Sequence, residues 1–394
     1  MSFLPPGLQL MDDCAQYAVD CYIKAVANDL GRPCPVPVSP DTLPDGFQKE
    51  LRVLAYRVAE AMANPYMLPW DALTYSEAVG GQDGRNDEFE ASLKDRFHPL
   101  ELQESLSRPS AFVDTSGKLQ GLYLPNVILD ERQDQVADAA ALLRPTINAH
   151  PPKETDPTLR KAWRDSRLLF AVDDRDLCFG RGSATLSPGW LSQGLEGLTD
   201  PIHVSRDLGA KSGKRQNQRQ QLAQAWVGES MELGLLLSSA LAIAHPQQYQ
   251  ETKFALAALA ADDDHREYMR HWAFAFNVIT VIANRMTPLH RDRASGGREL
   301  FDALLSIGGG RRTTLSLPGI GARLQYDSGT LVLMHGSVHP HEVSPFEMER
   351  LCIACYARPA VLRQLGRQNP EAPTAEGTMP AGWWPELVSR RRPA

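Results

Sequence analysis

The stretch NVITVIANRMTPLHRDRASGG, residues 277–297, decides how this chain is read. Apolar and β-branched residues from Val278 to Ala283 predict a strand. His290 and Asp292 follow at the end of a second strand-like run. Side chains alternate along a strand, so these two project from one face. An imidazole and a carboxylate supplied together leave a third metal ligand to come from elsewhere. Two histidines and one carboxylate on one face of an octahedral metal leave three open positions, which marks non-haem Fe(II) oxygenases. A His-x-Asp tripeptide alone is a weak signal, because it also arises by chance.

The segment YDSGTLVLMHGSVHPHEVSPFEMERLCIACYARP, residues 326–359, raises the odds. A strand, GTLVLMHG, delivers a histidine cluster, and Arg350 opens the next strand. His335, His339 and His341 share parity, so an extended chain leaves the ligand open among them; His335 comes too early. An oxygenase that uses a dicarboxylate co-substrate needs a cation, and the planar fork of arginine suits a carboxylate. Along the last strand, alternation puts Arg350, Cys352, Ala354, Tyr356 and Arg358 on one face. Cys352 and Cys355 therefore point to opposite faces and read as buried thiols rather than a redox or zinc pair.

The length suits one large domain with an extension, or two domains. The 394 residues are 43% hydrophobic and 23% charged, enough for a sizeable core. No apolar run reaches a membrane span, and the first residues lack the pattern of a signal peptide. Six cysteines are too few for a disulfide scaffold and suggest a reducing compartment. The net charge of −7 argues mildly against a nucleic-acid partner. Yet residues 206–221 hold Arg206, Lys211, Lys214, Arg215 and Arg219 against one acid, Asp207.

The organisation predicts an α+β protein: a barrel or double-sheet jelly roll wrapped by helices, with a mainly helical N-terminal region. Residues 1–110 carry apolar residues at helical spacing and are expected to pack on the core. Residues 111–362 hold the β-rich catalytic domain. Gly308–Gly310 read as a hairpin loop, and 363–394 as a loosely ordered tail.

Over about 270–360 these residues resemble the TET/JBP family of nucleic-acid base dioxygenases, specifically its fungal branch. The likeness rests on ANRMTPLHRD, YDSGTLVLMHGSVHPHEV and RLCIACYARP. It implies a double-stranded β-helix, or jelly roll, that oxidises methyl groups on DNA bases with Fe(II), O2 and 2-oxoglutarate. Carried over by position, His290, Asp292 and His341 match the iron ligands. HEV at 341–343 resembles the His-x-Val of related oxygenases, with His339 in reserve. Arg350 matches the residue that binds the distal carboxylate of 2-oxoglutarate, and Arg285 the one that reaches its other end. Tyr356 matches an aromatic that stacks on the flipped base. Arg358 stands where related proteins tend to place a histidine against cytosine, which changes pocket size and charge.

Gly321 and Asp327, in GIGARLQYDSG, are further pocket candidates, for close approach of a base and for an exocyclic amine. Lys211, Lys214, Arg215 and Arg219 are candidates for phosphate contacts. The expectation is therefore a monomeric nuclear enzyme acting on duplex DNA, on 5-methylcytosine first and N6-methyladenine second. RRR at 390–392 adds weak support for the nucleus. The competing readings are a dioxygenase for small molecules or protein side chains, an inactive DNA-binding member, and a cupin-type metal protein without co-substrate.

Overall fold

Helices and strands follow the periodicities of the sequence. The computed structural model describes residues 5–158, 163–170, 177–191, 200–210, 215–292 and 296–391. Its N-terminal part contains α1 (Pro6–Asp29), α2 (Asp45–Ala63), β1 (Pro65–Met67), α3 (Ala72–Val79) and α4 (Asp87–Arg96). Next come β2 (Ser110–Val113), β3 (Leu119–Leu124), α5 (Asp130–Ala140), α6 (Arg144–Ile147) and β4 (Gly182–Leu186). A helical block follows: α7 (Gln218–Glu229), α8 (Met231–Ala244), α9 (Pro246–Ala261) and α10 (Arg266–Met269). The β-rich third supplies β5 (Val278–Ala283), β6 (Thr287–His290), β7 (Asp302–Gly308) and β8 (Thr314–Leu317). It continues with β9 (Ala322–Gln325), β10 (Thr330–Met334), β11 (His341–Val343) and β12 (Arg350–Tyr356). Helices α11 (Pro359–Gln364) and α12 (Trp383–Arg391) close the chain.

Two sheets form. The larger has strand order β1-β2-β3-β10-β7-β12-β5-β4, and the smaller β6-β11-β8-β9. Among the described strands, every strand-to-strand pairing is antiparallel except that of β1 with β2. From β5 to β12 the chain changes sheet at each connection except the β8–β9 hairpin. That path is the jelly roll, or double-stranded β-helix, expected from the sequence. One apolar cluster lies between the sheets and joins Leu304, Val332 and Met334 of the large sheet to Leu315, Leu317 and Leu324 of the small one. The large sheet's other face (Ala303, Leu305, Ile307, Leu351, Ile353 and Cys355) packs on α1, α2 and α8. These two faces are the alternation of β7 and β12 made physical. No single described helix is long and apolar enough to cross a membrane.

Three expectations need correction. Gly308–Gly310 do not close a hairpin: they carry the chain from β7 in one sheet to β8 in the other. All three have positive φ (75°, 91° and 81°), and a Cβ on Gly308 would sit 2.2 Å from the Glu349 carbonyl oxygen. The region 1–110 is more than a helical cover, since β1 extends the large sheet and Leu106 bridges Leu324 at the small sheet's edge. The segment after 363 is packed rather than loose. Pro373 and Ala375 exchange main-chain hydrogen bonds with Leu119 and Gly117, Thr378 meets Tyr22 in a buried contact, and Leu387 is buried. Main-chain pairing to an existing turn holds a Pro- and Gly-rich segment that composition alone reads as disordered.

Candidate metal centre and substrate cavity

The metal-ligating group assembles at the mouth of the small sheet. His290 ends β6 and His341 begins β11, and the two are direct partners across the antiparallel ladder. Their ring centroids are 4.2 Å apart. Asp292, just beyond β6, is fixed by its N–H donating to the Gly336 carbonyl at 2.8 Å. The ligand atoms of His290, Asp292 and His341 lie within 4.8 Å of one another. His290 Nε2 is 3.3 Å from Asp292 Oδ1, and His341 Nε2 is 3.5 Å from Oδ2.

Each ring's other nitrogen meets main chain. His290 Nδ1 is 3.0 Å from the Pro288 carbonyl and 3.1 Å from that of His341; His341 Nδ1 is 3.1 Å from that of His339. An N–H at Nδ1 satisfies these carbonyls and leaves the Nε2 lone pairs facing the carboxylate, the tautomer a metal needs. Burial, and after it the neighbouring His341, push the His290 pKa down to about 4, so the ring is neutral. Burial opposes ionisation of Asp292, but the two histidines outweigh it and hold the carboxyl well below its usual range. Two imidazoles and a carboxylate are a donor set that fits Fe(II).

Position decides between the histidines of equal parity. The chain between β10 and β11 is a turn, with the N–H groups of Val338 and His339 both donating to the His335 carbonyl. Parity along an extended strand does not apply there. His339 points away from Asp292: its Nε2 is 3.2 Å from Gln120 Oε1 and its ring stacks at 5.8 Å on Tyr75. His335 lies between the carbonyls of Leu300 and Leu119.

The two arginines predicted for the co-substrate are both buried. Arg285 lies over the Trp163 ring at 5.2 Å, with Nη1 donating to the Arg164 carbonyl at 3.3 Å. Burial, and then the Arg164 charge, lower its pKa to about 10. Arg350 donates from Nε to Ser306 Oγ at 3.2 Å and stacks on Tyr326 at 4.8 Å. Among the described residues, Arg285 Nε and Arg350 Nη2 are buried without a hydrogen-bond partner. Orphaned buried guanidinium nitrogens are costly, and a carboxylate ligand relieves that cost. On this observation the residues fit a dicarboxylate co-substrate.

The centre opens into a cavity of about 900 Å³. From β12, Cys352, Ala354 and Tyr356 line it, on the face that alternation predicts, and Arg358, just beyond the strand at the start of α11, joins them. Arg350 lies beyond them, behind the lining residue Tyr326. Tyr356 faces Thr280 of β5 across 3.5 Å, and burial raises its hydroxyl pKa to about 12. Arg358 donates to the Leu191 carbonyl and lies over the Trp190 ring at 4.6 Å. Asp302 of β7 also lines the cavity, its Oδ2 accepting the Gly336 N–H at 3.2 Å.

Other predicted site residues sit elsewhere. Gly321, at φ +82°, turns the β8–β9 hairpin hard against Leu100, where a Cβ would lie 2.0 Å from the Leu100 oxygen. Its need for glycine is that packing, not a base, and Gly321 does not line the cavity. Asp327 does not line it either; it lies on the turn into β10, with its carbonyl accepting the Thr330 N–H at 3.2 Å. Arg215 and Arg219 are exposed, outside the cavity wall, at the start of α7. Lys211 and Lys214 lie outside the described residues. The loop's beginning is tied to the cavity rim: Asp207 Oδ2 accepts the N–H of Thr185, a lining residue on β4, at 2.9 Å.

Sequence reasoning missed Trp163, Arg164 and Trp190. Trp163 meets the His290 ring edge-on at 4.8 Å, and Arg164 Nη2 is 3.2 Å from Asp292 Oδ1. Trp163 and Arg164 belong to a single 3-10 turn (Trp163–Asp165) and Trp190 to an isolated bridge with His203. No sequence motif marks them, and their approach to β6 and β12 is set by the tertiary fold.

A family model covers this centre. Residues 210–359 match Tet_JBP, the oxygenase domain of the 2OGFeDO superfamily. No curated protein matches. A solved structure of NgTET1 in complex with 5mC DNA is similar at 13% identity and a TM-score of 0.45, over 67% of this chain and 81% of that one. The matched residues 210–359 hold all three members of the His290–Asp292–His341 triad, so the likeness to the oxygenase domain of the 2OGFeDO superfamily covers the candidate metal centre.

Proposed function

We propose that the protein oxidises the methyl group of methylated bases in duplex DNA, 5-methylcytosine first and N6-methyladenine second. The carrying observation is that the triad shares one cavity with Tyr356, Trp190 and Arg358. Its volume of about 900 Å³ exceeds what a dicarboxylate fills and leaves space for a base. A base reaches a buried centre only by leaving the helix, at a cost of a few kcal/mol. In this reading stacking on Tyr356 and phosphate contacts from Lys211, Lys214, Arg215 and Arg219 offset that cost.

Each residue then has a task. His290, Asp292 and His341 hold Fe(II), and Arg350 and Arg285 bind the two ends of 2-oxoglutarate. Iron with 2-oxoglutarate and O2 supplies the oxidising power to hydroxylate a methyl group. The surrounding apolar wall, Leu304, Leu315 and Val343 among it, keeps bulk water from the reacting methyl. Arg358, held on Trp190 and the Leu191 carbonyl, shapes the base pocket with a cation rather than an imidazole, a reason to include adenine. A hydroxylated C5 methyl persists, whereas a hydroxylated N6 methyl loses formaldehyde. This reading carries nuclear action with it.

Incubation with Fe(II), 2-oxoglutarate, ascorbate and duplexes bearing either base, followed by nucleoside mass spectrometry, tests the proposal. Oxidised 5-methylcytosine is expected. Succinate formation with no change in either duplex would rule out DNA and leave a small-molecule or protein substrate.

A further inference from the structure

We infer that Arg291, together with Glu90 and Tyr75, is a positioning group that sets the spacing of the metal ligands, so that α3 and α4 are part of the metal centre. The inference concerns the triad and stands whether or not the substrate is DNA.

Arg291 lies between two ligands, so alternation turns its side chain away from them. It is only 1% exposed. Nε donates to the Val338 carbonyl at 2.8 Å. Nη1 and Nη2 donate to Glu90 Oε1 and Oε2 at 2.5 and 2.9 Å, and Nη2 reaches the Tyr75 hydroxyl at 3.4 Å. Its own N–H donates to the Asp83 carbonyl at 2.7 Å. Glu90 lies in the first turn of α4 and is itself buried, at 8% exposure.

One guanidinium thus grips two ligand-bearing segments. Its backbone belongs to the β6 end that carries His290 and Asp292. Val338 belongs to the turn that delivers His341, and the His339 carbonyl of the same turn orients His341 Nδ1. The Asp292 N–H to the Gly336 carbonyl joins the same two segments a second time. A buried ion pair is often no more stabilising than apolar residues of equal volume, so stability alone does not account for it. Its geometric effect is to fix the distance between the strand end and the turn. Partners that orient metal ligands typically change metal affinity about 10–100-fold when lost.

The test uses the full chain and Co(II) alone, following the metal's visible absorption together with thermal unfolding. Arg291→Lys retains one charged contact to Glu90 but cannot also hold Val338. It should fold, bind Co(II) about 10–100-fold more weakly and show an altered Co(II) spectrum. Glu90→Leu combined with Arg291→Met removes both charges at similar volume. It should unfold near the wild-type temperature yet keep the weakened affinity and altered spectrum. If that pair regains wild-type stability, Co(II) affinity and spectrum together, the contact is structural and the inference fails. Wild-type Co(II) binding by Arg291→Lys, or loss of folding in every variant, overturns it as well.

Discussion

His290 and His341 face one another across the β6–β11 ladder, 4.2 Å between ring centroids, each with Nδ1 against a main-chain carbonyl. The backbone thus sets both tautomers before any metal arrives. His341→Ala should abolish Co(II) binding in the full chain. His339→Ala should leave it intact, because that ring serves Gln120 and Tyr75, and should cost about 1–3 kcal/mol of stability through its lost buried hydrogen bond. Metal titration and denaturant unfolding of both variants check this; the reverse pattern would make His339 the ligand.

Arg350 offers an Nη2 with no hydrogen-bond partner among the described residues, in a buried setting braced by Ser306 and Tyr326. Arg350→Lys keeps the charge and loses the fork. A charged hydrogen bond is worth roughly 1.5–3 kcal/mol, so the KM for 2-oxoglutarate should rise about 10–100-fold. Succinate formation measured against 2-oxoglutarate concentration reads it directly, and an unchanged KM assigns the co-substrate elsewhere.

Tyr356 is proposed to stack on the base, a contact worth about 1–3 kcal/mol. Tyr356→Phe should retain oxidation of a methylated duplex. Tyr356→Ala should lower kcat/KM for that duplex about 10–100-fold while leaving succinate formation without DNA unchanged. Equal loss of both activities would mean that Tyr356 supports the metal centre instead.

Stability should fall with acid above the carboxylate range. Burial pushes the pKa of His245, and of His335, down to about 4. The unfolded chain takes up these protons as pH falls through about 6.5, while the folded state does not. The stability is therefore complete above about 6.5 and is lost progressively toward pH 4, at roughly 1.4 kcal/mol per pH unit for each group. Urea unfolding of the metal-free protein from pH 7 to 5 should show this slope, smaller by about one group in His245→Gln. A flat profile contradicts it.

Local pattern revealed much of the site and little of its frame. His290, Asp292 and the inward face of β12 follow from period-2 alternation, and the structure keeps that alternation. The third histidine stayed open because parity needs an extended chain, and residues 335–339 form a turn. Gly321 and Gly308–Gly310 read as cavity mouth and hairpin, but tertiary crowding explains both. Glu90, Trp163 and Trp190 reach the site from far along the chain, with no periodic signal to announce them. The tail's packing was equally hidden, since composition records its prolines but not the turn at Gly117 that pairs with it.

The central claim is oxidation of a base methyl at this triad, and the origin of the inserted oxygen tests it most directly. A duplex bearing 5-methylcytosine, incubated with Fe(II), 2-oxoglutarate and ¹⁸O2, should yield 5-hydroxymethylcytosine labelled from O2, with one succinate per hydroxyl, and none with His290→Ala. Product without label, product formed without 2-oxoglutarate, or unaltered DNA beside accumulating succinate would contradict the account.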